Sequence, residues 1–68
     1  MPFAGVIQEL EEKGFGVKVV DGGIIARLGS RKPSRHELVN AVPRLENFLM
    51  ETVGEGVFIS SWEEQFSV

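Results

Sequence analysis

The apolar positions of this chain change period from one stretch to the next, and each period names an element. Phe3, Val6, Ile7 and Leu10 fall on one helical stripe, with Gln8, Glu9 and Glu12 opposite. Pro2 suits a helix start and Gly14 a left-handed residue just past its end, so the pattern predicts a helix over residues 3–13. From Phe15 the period shortens to two in FGVKVV-DG-GIIARL. Asp-Gly between apolar runs is a hairpin signal, because a type I′ turn needs positive φ at both central residues. A turn at Asp21-Gly22 sets Val19 against Ile24, Val17 against Ala26 and Phe15 against Leu28, all on one face. The other face then holds Gly16, Lys18 and Val20 with Gly23, Ile25 and Arg27. A turn one residue later would oppose Lys18 to Arg27 and Asp21 to Ile24, which is worse on both counts.

Gly29 to Pro33 reads as a loop, and Ser34-Arg35-His36-Glu37 as a capping box that starts a helix. Leu38, Val42, Leu45, Leu49 and Val53 continue one stripe at helical spacing, flanked by Ala41, Phe48, Val39 and Met50. Pro43 lies on the polar side, so the pattern predicts one kinked helix or two consecutive ones. The apolar arc spans about 200°, against the roughly 100° that a surface helix needs. Either the C-terminal tail or a second copy of the chain is expected to cover the excess. Gly54-Glu55-Gly56 breaks the helix; Val57 to Ser60 reads as a short third strand, with Ser61 to Glu64 capping a turn that carries Trp62 and Phe66. Alternatively, residues 54–68 form a mobile acidic-aromatic tail. The expected fold is α+β, in the order αββαα with a short C-terminal strand: one domain over residues 1–68, its core within residues 3–53.

Sixty-eight residues suffice for one domain near the lower end of what folds alone, a size often stabilised by self-association. There is no cysteine and only one histidine, so neither a disulfide nor a zinc site is expected, and no cofactor motif appears. The start MPFAGVIQELEEK has none of the features of a signal peptide, and the apolar runs are short, so a cytoplasmic location is expected. Net charge is −3 but unevenly placed. Residues 27–44 carry Arg27, Arg31, Lys32, Arg35 and Arg44 against Glu37 alone, whereas residues 45–68 carry five glutamates and no base. Such blocks are either solvated surface or a basic patch that meets an acidic partner.

No enzyme is expected. His36 sits on a polar helix face with no nucleophile or carboxylate constellation around it, Ser34 is explained as a cap, and Ser60 and Ser61 lack a base. Gly14, Gly16, Gly22, Gly23 and Gly29 punctuate turns and form no phosphate loop. The one anion-friendly place is the start of the second helix, where Arg31, Lys32 and Arg35 surround free backbone N–H groups. Trp62, Phe58 and Phe66 either close the core or anchor a partner.

The stretch VIQELEEKGFGVKVVDGGIIARLGSRKPSRHELVNAVPRLENFLMETV, within about residues 4–53, resembles the TubC-type N-terminal docking domain that precedes subunits of hybrid polyketide/nonribosomal peptide synthetases. The resemblance is one of order and spacing: helix, glycine, hairpin with a Val-Asp-Gly-Gly turn, basic loop, capped helix, further helix. It implies an αββαα dimer whose basic hairpin edge accepts an acidic segment from a partner, through Lys18, Ile25, Arg27, Arg31 and Lys32. This chain departs from the family in Pro43, in its acidic tail and in ending soon after the last helix.

Two functional readings follow. The first is a protein-interaction module that binds an extended acidic segment by strand addition, with Lys18, Ile25, Arg27, Arg31, Lys32 and Arg35 as the binding residues. The second is a small regulatory or nucleic-acid-associated protein that sets the basic segment 27–44 on phosphates. The acidic flanks oppose it.

Overall fold

The computed structural model describes residues 3–61. Helix α1 (Ala4–Glu12) leads through Gly14, at φ 95°, into the strands β1 (Gly16–Val20) and β2 (Gly23–Arg27). Helix α2 (Arg35–Ala41) is followed by a 3-10 turn at Pro43–Asn47, and then by β3 (Phe48–Val53) and β4 (Gly56–Ser61). The four strands form one antiparallel sheet in the order β1-β2-β4-β3.

The first hairpin has the expected register, with Val19 opposite Ile24, Val17 opposite Ala26 and Lys18 opposite Ile25. Its turn differs in kind. Gly22 has φ 86° while no non-glycine residue takes positive φ, so Asp21 is right-handed or extended. One left-handed glycine at the second central position is the signature of a type II turn rather than type I′.

The larger correction concerns residues 45–61. The αββαα order does not occur, because the helical stripe stops at Ala41. Pro43 disfavours the α region in the residue before it, and Val42 is accordingly extended at φ −135° and ψ 89°. Past the 3-10 turn the chain stays extended. Phe48, Met50 and Thr52 face one side of the sheet and Leu49, Glu51 and Val53 the other, as their partners Ser61, Ile59, Val57 and Ser60, Phe58, Gly56 require. The segment read as a short terminal strand is instead a six-residue strand between β2 and β3, buried over most of its length. Gly54, at φ 50°, occupies the first central position of the β3–β4 turn, where a type II′ turn places glycine. The expected turn with Trp62 and Phe66 lies outside the described residues.

The core lies between the helices and one face of the sheet. Val6 and Leu10 of α1, Leu38 of α2, Val42 and Leu45 meet Ile24, Ala26, Val57 and Ile59 there, all essentially inaccessible to water. Phe3 and Phe48 close one end with their rings 5.5 Å apart and tilted by 51°. Val19 alone breaks the expected pattern: it has core-face parity, yet it sits on β1, an edge strand of the sheet, and is 58% exposed. Among the described residues no helix is long and apolar enough to cross a membrane.

Two glycines set how closely the strands approach. A methyl group at Gly23 would run into the Ile59 carbonyl and lie 3.1 Å from the Phe58 ring. At Gly56 it would lie 2.6 Å from Ile25 Cγ2 and 2.9 Å from the Ala26 carbonyl oxygen. Gly23→Ala and Gly56→Ala are therefore each predicted to destabilise the fold by about 1–3 kcal/mol, the usual cost of overpacking. Gly16→Ala, whose added carbon meets nothing nearer than 4.0 Å, is the control with little effect. Urea midpoints at unchanged slope read the difference.

Candidate interaction site

The basic residues singled out in the sequence do not form one patch. The local chemistry divides them into those already engaged within the chain and those turned toward solvent.

Arg31 belongs to the engaged group. A backbone pairing of Leu28 with Arg31, through bonds of 3.0 and 3.2 Å, folds the chain back directly after β2. The guanidinium then meets Glu37 in a two-pronged contact at 2.9 and 2.6 Å. Glu37 also completes the capping box: its Oε1 accepts from the Ser34 N–H at 2.9 Å, while its own N–H donates to Ser34 Oγ at 3.0 Å. The anion expected at the start of this helix is thus the chain's own carboxylate. The Arg31 contact, with the Ser34 N–H second, holds the Glu37 carboxyl well below the ordinary range, at about 2. Reversing Arg31 would undo this cap as well as any binding surface.

Arg35 is engaged too. Its guanidinium donates to the Glu46 carbonyl at 3.0 Å and to the Phe48 carbonyl at 3.4 Å, which ties the start of α2 to the junction of the 3-10 turn with β3. Arg44 pairs with Glu9 at 2.7 Å and so links that turn to α1. Lys32 is exposed, and His36 is exposed with Asn40 as its neighbour at 3.5 Å.

Lys18, Ile25 and Arg27 are brought together. They share the sheet face that points away from the helices, Lys18 directly opposite Ile25 and Arg27 one step along β2. With Phe15, Gly16 and Val17 they line a groove of about 580 Å³ along β1, to which Glu11 and Gly14 also contribute. Arg27 has a long contact to Glu55 at 3.8 Å, both side chains being well exposed.

Sequence reasoning missed the consequence of strand order. β1 lies at the edge of the sheet, and among the described residues no strand pairs with its outer side. In a hairpin closed by two residues, the pair beside the turn exchanges both hydrogen bonds and the bonding alternates from there. Val20, Lys18 and Gly16 therefore direct their backbone groups to β2, and Val17 and Val19 direct theirs outward. The DG turn flanked by apolar runs carried that register, but edge position depended on where β4 and β3 would join. The other edge strand is β3, with Glu51 exposed. Among the described residues no group of three His, Cys, Asp or Glu side chains gathers as a metal site would require.

Two measurements check the division. Arg35→Ala should cost about 1 kcal/mol through its lost carbonyl contacts, whereas Lys32→Ala should stay within about 0.5 kcal/mol of wild type. The lowered pKa of Glu37 makes its contribution to stability fully present above the ordinary value of 4.5 and lost as pH falls toward about 2. Melting curves of wild type and Glu37→Gln should therefore differ most above pH 4.5 and converge near pH 2. In comparisons with known proteins, the chain matches no protein-family model, no curated protein and no solved structure.

Proposed function

We propose that this chain is a protein-interaction module that takes up an extended segment of a partner protein along the free edge of β1. The observation that carries the reading is that edge itself: a five-residue strand whose outward backbone groups, at Val17 and Val19, lie beside a groove furnished with Lys18 and Arg27. Strand addition draws affinity from main-chain hydrogen bonds and selectivity from alternate side chains. A segment added here would place every second side chain next to Val17 and the exposed Val19, and the others next to Lys18. The preferred partner is therefore an extended stretch that alternates apolar and acidic residues. Lys18 discourages a basic strand from the same edge, and so serves selection twice. The nucleic-acid reading loses support, because Arg31, Arg35 and Arg44 are held by Glu37, by backbone carbonyls and by Glu9.

The test is a titration with a seven-residue peptide alternating valine and glutamate, against a control alternating valine and lysine, followed by amide NMR. The acidic peptide should shift β1 resonances, and Lys18→Glu should weaken it by about tenfold, the cost of turning one favourable charge contact into a repulsive one. Val19→Pro should abolish binding while preserving the fold, since proline on an edge strand removes only the outward N–H. Equal binding of both peptides, or binding unaffected by Val19→Pro, would overturn the reading.

A further inference from the structure

Antiparallel sheets with one covered face usually turn polar residues to the other. This sheet does not. Away from the helices it presents Val20, Ile25, Phe58, Leu49 and Val53, each only partly buried, and among the described residues no element packs over them. The Phe58 ring lies along the sheet over Gly23 and Gly22, and Ile25 leans over Gly56.

The charges on this face are arranged with a direction. One row across the four strands reads Lys18, Ile25, Phe58, Glu51, in the pairings Lys18 with Ile25, Ile25 with Phe58 and Glu51 with Phe58. The row is basic at one edge, acidic at the other and apolar between. We infer that this face is where a second copy of the chain docks, around a twofold axis parallel to the strands. Such an axis reverses the strand order and keeps each row level. It sets Lys18 over Glu51 of the second copy and Ile25 over Phe58 of the second copy, each contact occurring twice, as a closed isologous interface demands. In the adjacent row Val20 comes over Leu49 of the second copy, beside a shallow recess of about 110 Å³ between Leu49, Glu51, Phe58 and Ser60. An axis perpendicular to the strands would instead stack Lys18 on Lys18 and Glu51 on Glu51. Charge selects the first arrangement.

The size of the face sets the strength. Four strands at about 4.8 Å spacing and five residues at about 3.3 Å give a footprint of roughly 300 Å² per copy. Stable interfaces bury about 800 Å² on each partner, so this dimer is weak and forms at high protein concentration. It differs from the self-association expected from a broad helical arc, since residues 48–53 are a strand.

The inference stands apart from strand addition at β1, although both use Lys18. Sedimentation of the full chain from about 10 μM to 1 mM should show a monomer–dimer equilibrium with nothing larger. Lys18→Glu and Glu51→Lys, both at exposed positions, should each weaken dimerisation by about tenfold or more, because like charges then meet twice. An equimolar mixture of the two variants should associate as the wild type does, since every contact between them is again of opposite sign. Glu51→Lys should keep peptide binding, and Val19→Pro should keep dimerisation, so each reading can fail alone. A monomer at 1 mM, a mixture that fails to associate, or growth beyond dimers through edge-to-edge pairing would overturn the inference.

Discussion

The fold depends on β4 occupying the slot between β2 and β3. Ile59 lies opposite Ile24 on one side and Met50 on the other, inside the same cluster that holds Leu10, Leu38 and Leu45. Two-stranded hairpins are marginal in water by themselves. Here β4, the last strand among the described residues, joins two of them into a four-stranded sheet with a closed core beneath. Gly23 and Gly56 bear on that contact directly, because a side chain carbon at either position would meet the neighbouring strand.

This arrangement explains what the sequence could and could not reveal. The first helix, the hairpin register and the capping box were legible because each rests on local chemistry: a 3.6 period, a two-residue Gly-containing turn, a serine three residues before a glutamate. The second hairpin was not, because FLMETV satisfies a helical stripe and a strand alternation equally well, and short apolar runs do not distinguish the two. Two signals argued for the strand. Pro43 makes Val42 extended and ends the helix, and Val53-Gly54-Glu55-Gly56-Val57 is a glycine-led two-residue turn between β-branched residues. A helical phase carried across Pro43 makes both look like interruptions rather than a change of element.

The basic segment shows a similar limit. A count of charges along residues 27–44 suggests a patch, but a count does not know which carboxylates and carbonyls the fold brings near. Arg31, Arg35 and Arg44 act as ties within the chain, while Lys18, Arg27 and Lys32 stay exposed. Glu51 stands on β3, at the opposite edge of the sheet from Lys18 on β1. The molecule is therefore polarised across its strands, with a basic edge and an acidic one. On the proposed function, that polarity matters more than the net charge of −3.

On the proposed function, the outer side of β1 is an open pairing edge that an acidic strand completes. Residue-resolved hydrogen exchange of the full chain, with and without the alternating valine–glutamate peptide, tests it most directly. Lys18 and Val20 amides, bonded to β2, should exchange slowly in both conditions, while Val17 and Val19 exchange quickly alone and become protected with peptide. Protection of Val17 and Val19 in the absence of peptide, or fast exchange at both with saturating peptide present, would contradict the account.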